Sequence, residues 1–250
     1  MRADVVQVAP DVSGLVAEVL VHDNQAVKKG DVLFRIDPVR FALALYEAEA
    51  MVDSKQATAD EAVREMNRAL ALTSAEMAVQ VQQQYTATAA QARAAYQQAV
   101  AERDVAKLNL DRAAVRATVN GIVANFSLRP GDYVTAGTAA FALTDTDSFY
   151  VAGYFQETKL AGIQVGDPVR VQLMGESRLI EGHVHSIASG IADRELSNGP
   201  SLLANVTPTF SWVRLAQRVP VRIAIDQVPD GVRLISGRTA SVAVQPQARP

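Results

Sequence analysis

The sequence predicts an α+β multidomain chain. A β-sandwich is formed by two sequence halves, an antiparallel coiled-coil α-hairpin is inserted between them, and a small antiparallel β-barrel follows. Three observations predict this. Gly and Pro disappear after Pro38 and return only at Gly121, an interval of 82 residues. The flanks of that interval repeat one another at a constant spacing. Beyond Phe149, short alternating runs are separated by turn residues.

The 250 residues suffice for one to three domains with real cores. With 49% hydrophobic and 20% charged residues, the chain has a globular composition. A net charge of -3, from 24 Lys+Arg against 27 Asp+Glu, argues against a nucleic-acid binder, which needs a concentrated basic surface. The absence of cysteine excludes a disulfide framework, thiol catalysis and thiolate zinc sites. No run approaches 18 consecutive apolar residues, so these residues are expected to span no bilayer. The chain is then either soluble as it stands or the part that follows a removed leader or anchor.

The hairpin follows from the missing punctuation. Gly and Pro break helices, and residues 38–117 contain 23 alanines among many Gln, Glu, Arg and Leu. A single helix of that length would reach ~120 Å. A break is expected where Thr73 and Glu76 fit a capping box, giving helices at about 39–72 and 75–116. Each carries a heptad seam. The first is Phe41, Leu45, Ala48, Val52, Lys55, Ala59, Ala62, Met66 and Ala69; the second is Tyr85, Ala89, Ala92, Tyr96, Ala99, Arg103, Ala106, Leu110 and Ala113. Alanine seams bury little area, so the hairpin alone should be marginal.

The repeat brackets it. Val12-Ser13-Gly14-Leu15-Val16 matches Val119-Asn120-Gly121-Ile122-Val123, with Gly121 standing 107 positions after Gly14. The same offset joins Val27 to Val134, Gly30 to Gly137, Phe34 to Phe141 and Ile36 to Leu143. Alternating apolar residues between glycine turns signal half-buried strands. In the last third, strands are expected at Tyr150–Phe155, Pro168–Leu173, Ile180–Ile187, Val219–Ile225 and Thr239–Val244. The Gly-, Asn- and Pro-rich stretch Ser189–Ser211 reads as a long flexible or partner-ordered loop.

No motif carries catalysis. His183 and His185 share a strand face without an acid at metal-ligand spacing, and read as structural or surface histidines. His22 beside Asp23 lacks a nucleophile and reads as a solvated turn. Lys28 and Lys29 read as solvated charge, and no phosphate loop is present. No cofactor or metal is expected.

Gly14-x-Val16 with Val27-Lys28-Lys29-Gly30-Asp31-x-Leu33 resembles a lipoyl/biotinyl domain. In carrier domains of that type the modified lysine sits on the turn between the halves; here that turn, after Ile36-Asp37-Pro38, holds the hairpin. The whole arrangement resembles periplasmic adaptors, or membrane fusion proteins, of the HlyD/EmrA type, with its closest likeness to adaptors of p-hydroxybenzoic acid efflux. The likeness is carried by Ala9-Pro10-Asp11-Val12-Ser13-Gly14, Val21-His22-Asp23-Asn24-Gln25, Ser148-Phe149-Tyr150-Val151, Glu157-Thr158-Lys159-Leu160 and the run from Trp212 to Arg222. It implies a lipoyl-like barrel-sandwich hybrid at 4–37 and 118–146, a hairpin at 38–117 and a barrel at 147–246.

The resemblance also implies a role. A non-enzymatic adaptor would join an inner-membrane efflux transporter to a TolC-like outer-membrane channel, assemble as a ring or other homo-oligomer, and be held in the periplasm by an upstream membrane anchor. The family's channel-docking arginine and leucine fall on Arg68 and Leu72; its serine position falls on Val79, with Ser74 the nearest serine. Arg68, Leu72 and Ser74 are therefore the candidate contact residues. Two other classes compete: a carrier domain with a covalent cofactor on Lys28 or Lys29, and a cytosolic coiled-coil scaffold.

Overall fold

The computed structural model describes residues 1–71, 77–190, 196–198, 204–206 and 216–245. They divide into two compact units, Val6–Leu143 and Met1–Val5 with Thr144–Pro250.

The first unit contains two four-stranded sheets. One takes β1 (Val5–Val8), β8 (Phe141–Asp145), β6 (Gly121–Ala124) and β3 (Ala26–Val27), in that order. The other takes β5 (Ala114–Arg116), β4 (Val32–Ile36), β2 (Gly14–Val19) and β7 (Tyr133–Val134). Exchanging every strand of the first sheet for its repeat mate yields the second, so the sequence repeat is a structural pseudo-twofold. Register follows the same rule: Gly14 faces Val134 and Leu15 faces Tyr133, while Val27 faces Gly121 and Ala26 faces Ile122. So do the turns. Lys29 N–H donates to Asn120 Oδ1 at 3.0 Å, and its mate Ala136 N–H donates to Ser13 Oγ at 2.8 Å. Gly30 and Gly137 both adopt positive φ, which their turns require.

Each half alone would expose its apolar alternation. Together they enclose Leu33, Phe34, Ile36, Val123 and Leu143, all fully buried. The mates Phe34 and Phe141 meet edge to face with centroids 6.1 Å apart.

The two long helices are α1 (Val39–Ala71) and α2 (Met77–Arg112). Every seam position expected on α1 is buried or half-buried, and α2 agrees apart from Tyr85, which is exposed. The capping pair Thr73 and Glu76 lies outside the described residues. One correction is clear: α2 ends at Arg112, and Ala114–Arg116 form β5 instead of a last helical turn. Pairing of Val115 with Phe34 and Ala114 with Arg35 buries Val115 in the sandwich, and this tertiary gain overrides the helix propensity of alanine.

The second unit is one antiparallel sheet ordered β15 (Ala240–Val244), β10 (Pro168–Leu173), β11 (Leu179–Ile187), β14 (Arg218–Gln227) and β9 (Tyr150–Gln156). All five expected strands are present, within two residues at each end. Val169, Val171, Leu173, Ile180, Val184, Val221 and Ile223 fill its interior. Met1 and Arg2 tie its two edges. Arg2 exchanges backbone hydrogen bonds with Tyr150 at 2.8 and 2.9 Å, while Met1 donates to Arg238 O at 2.9 Å and accepts from Gly237 N–H. The sheet is thereby nearly closed, which covers its edge groups. Of the stretch read as a flexible loop, the described parts are residues 189–190 and the antiparallel pair β12 (Leu196–Asn198) and β13 (Ala204–Val206).

Candidate functional site: the hairpin and its socket

α1 starts where the sequence writes a helix start. Asp37 Oδ1 accepts the Val39 N–H at 3.0 Å, and Pro38 stands immediately before the helix, where its missing donor costs nothing and its carbonyl accepts the Ala42 N–H. Replacing Asp37 by alanine should cost about 1 kcal/mol in chemical denaturation, with the fold intact; an unchanged midpoint would show that the cap contributes nothing.

Both legs of the hairpin grip one short segment. Arg40 on α1 donates to the Ser13 carbonyl and lies 4.6 Å from the Phe41 ring centroid. Arg112, the last residue of α2, pairs with Asp11. Phe41 and Ala113 complete the junction by entering the sandwich core. Gly14 is needed beside it, because a Cβ there would stand 2.6 Å from Ile36 Cγ2. Asp11 stood out in the sequence only as part of a family-like run, and Ser13 and Gly14 as part of that run and of the internal repeat. Their work as the hairpin's socket was not read there, since the partner arginines are 27 and 101 positions away.

At the far end, Arg68 lies in the last turn of α1, where a cation suits the helix dipole. Its side chain is two-thirds exposed and pairs with Glu65 at 2.9 Å. Such an exposed pair contributes at most about 1 kcal/mol, so Arg68 is held lightly. Leu72 and Ser74 lie outside the described residues. Val79, at the family's serine position, is exposed.

The other candidates are engaged locally. His183 Nδ1 lies 2.8 Å from Asp226 Oδ1, and Asp226 is the extra residue of a β-bulge between β11 and β14. The ladder shifts again at His185. No group of three or more metal-ligating side chains occurs among the described residues. Asp23 accepts the Phe126 N–H and an Asn24 Nδ2 hydrogen bond, a turn-building role. Lys28 donates its backbone N–H to Asp31 Oδ2, and both Lys28 and Lys29 are exposed. No described helix is long and apolar enough to cross a membrane.

Known proteins share this organisation. Residues 4–146 match the family described as RND MFP, barrel-sandwich hybrid domain, and residues 148–245 match the AAEA-like beta-barrel domain. The uncharacterized protein YdhJ of Escherichia coli (strain K12) is 39% identical over 244 residues, covering 98% of this chain and 86% of that protein. Among solved structures, the membrane fusion protein Spr0693 from Streptococcus pneumoniae R6 superposes with a TM-score of 0.70 at 19% identity, covering 99% of this chain and 96% of that one. MacA from Actinobacillus actinomycetemcomitans gives 0.73 at 19% identity, covering 97% and 75%.

Proposed function

The chain belongs to the membrane fusion protein family, and from that premise we propose that it is the periplasmic adaptor of a tripartite efflux system. It joins an inner-membrane transporter to a TolC-like outer-membrane channel, and an anchor upstream of Met1 holds it to the inner membrane. Adaptors of this family are structural proteins that act by assembly. The cargo class we propose is aromatic carboxylic acids and related small organic compounds, a choice supported by the AAEA-like barrel match over 148–245.

The observation that carries this reading is the placement of the hairpin. It leaves the repeat junction after Ile36 and returns at Ala113, braced there by Arg40 and Arg112. The 33 residues of α1 span about 50 Å at helical rise, so a small contact at the tip acts far from the sandwich. A carrier domain needs an accessible lysine at that junction, and Asp37-Pro38 followed by α1 stands in its place. By function, residues 4–37 and 118–146 together with β5 form the hub, the two helices within 38–117 the channel-reaching arm, and 147–246 the barrel. Mass spectrometry of the native protein tests the carrier alternative: a lipoyl or biotinyl adduct on Lys28 or Lys29 would refute the adaptor reading.

Arg68, Leu72 and Ser74 are the proposed channel contacts. Arg68→Asp and Leu72→Asp should each abolish export, because one reverses a charge and the other places a charge where an apolar contact is desolvated. Stability should fall by no more than about 1 kcal/mol for exposed Arg68, whose pair with Glu65 and place at the helix end contribute little. Export assays beside thermal unfolding check this. Full export by both variants would move the docking surface along α2 towards Val79.

A further inference from the structure

Met1 and Arg2 cover the edge groups of the barrel sheet at one end only. Beyond them, the seam between β15 and β9 is one strand short of closing. The five strands alternate in direction from β15 through β10, β11 and β14 to β9, so the two edge strands run the same way. An all-antiparallel barrel closes only on an even number of strands, so β15 and β9 cannot pair with each other in that pattern.

The ladder fixes which groups face the seam. Glu157 N–H donates to Gln217 O and Gln245 N–H to Pro168 O, which sets the alternation on each edge strand. The N–H and C=O of Ala152 and Tyr154 therefore turn away from β14, and those of Ala240, Val242 and Val244 away from β10. Among the described residues no strand pairs with them. Core side chains are uncovered along the same line. Phe155, Val242 and Val244 are only partly buried, whereas Val171, Ile180 and Ile223 on the inner strands are fully buried.

Met1 and Arg2 show what fits between the edges. Arg2 pairs antiparallel with Tyr150 of β9, while Met1 bonds the other way, to Gly237 and Arg238 just ahead of β15. Successive residues that bond to opposite neighbours mark a central strand. Their side chains alternate too: Met1 enters the barrel core, and Arg2 points out to the Tyr154 hydroxyl. The opening at that end is one strand wide, about 10 Å between its flanking backbones.

We propose that the occupant of the seam is the segment of the full-length protein that immediately precedes Met1, lying as a sixth strand of the barrel. Continued backwards, the Arg2–Tyr150 register sets the first residue before Met1 opposite Ala152 and the third opposite Tyr154. The second falls opposite Ala240, in step with Met1 at Arg238. This rests on the anchored-adaptor reading, and it assigns the barrel as the domain that grips the tether.

Hydrogen exchange compares the chain from Met1 with the full-length protein in its native membrane. From Met1, the Ala152, Tyr154, Ala240, Val242 and Val244 amides should exchange fast, while Gly153 and Ser241, bonded inside the sheet, are protected. In the full-length protein the first set should slow about tenfold or more. The chain has no cysteine, so introduced thiols test the register. A cysteine replacing the first residue before Met1 should link to Ala152→Cys, since such cross-strand pairs lie about 5.5 Å apart. A cysteine at the second residue before Met1 lies on the other face and should not link. Protection of the five amides in the chain from Met1 would show that another part of this chain fills the seam, and would overturn the proposal. So would their fast exchange in the full-length protein, equal linking by both cysteines, or a native protein that starts at Met1. The two readings fail separately. A filled seam in a protein that fractionates away from the inner membrane would refute the anchor alone. An anchored, exporting protein with an open seam would refute the strand alone.

Discussion

Gly182→Ala should destabilise the barrel unit by about 3 kcal/mol or more, lowering its melting temperature by about 10 °C or more. Glycine inside a strand is otherwise a weakness, and here it marks a close approach of two backbones. β14 carries Asp226 as an extra residue opposite Glu181 and Gly182, and the resulting bulge drives the Ala224 carbonyl towards β11. A Cβ on Gly182 would stand 2.1 Å from that oxygen. The obstacle is backbone held by strands on either side, so no rotamer change can relieve it. Gly162→Ala is the matched control: a Cβ there meets nothing within 4 Å, and stability should change by less than about 0.5 kcal/mol. Calorimetry of both variants decides the matter. Equal transitions would mean that the bulge relaxes freely.

Phe34→Ala should cost the sandwich unit about 3–5 kcal/mol, the usual range for a phenylalanine deleted from a close-packed core. Phe34 is fully buried and meets its repeat mate Phe141, which in turn meets Phe126 edge to face at 5.0 Å. Phe141→Ala should cost a similar amount. The double variant should lose less than the sum by about 0.5–1.5 kcal/mol, because the first deletion already removes the edge-to-face contact. Strict additivity in denaturant titrations would show that the mates do not couple across the pseudo-twofold. Each change should act on the transition of the unit that carries it, Gly182 on the barrel and Phe34 on the sandwich.

The adaptor-like organisation was readable because its signals are local. The Gly- and Pro-free interval, the 4,3 seams and the turn glycines each depend on neighbours within a few residues, and helices and turns answer to such neighbours. The repeat was readable for a second reason. Two copies of one pattern in one chain predict that they fold alike, and mate-for-mate hydrogen bonds such as Lys29 to Asn120 and Ala136 to Ser13 follow. Arg68 was singled out through resemblance, and its side chain is exposed on the last turn of α1.

Other features answer to partners far along the chain, where sequence alone is silent. Ala114–Arg116 read as helix by composition and became β5, because β4 lies alongside and Val115 gains more by entering the core than by closing a turn. Met1 and Arg2 carried no signal, yet they tie the barrel edges through Tyr150, Gly237 and Arg238. Asp11 and Ser13 had no assigned role in the sequence, and Arg112 and Arg40 hold them once the chain is folded. Gly182 fell inside an expected strand without a role of its own, and the bulge at Asp226 sets the Ala224 carbonyl against it. Periodicity and turn chemistry thus chose the elements and their order. Which backbone edges meet, and which side chains lock them, was left to packing, since desolvation and hydrogen bonding reward contacts that exist only after the chain has come together.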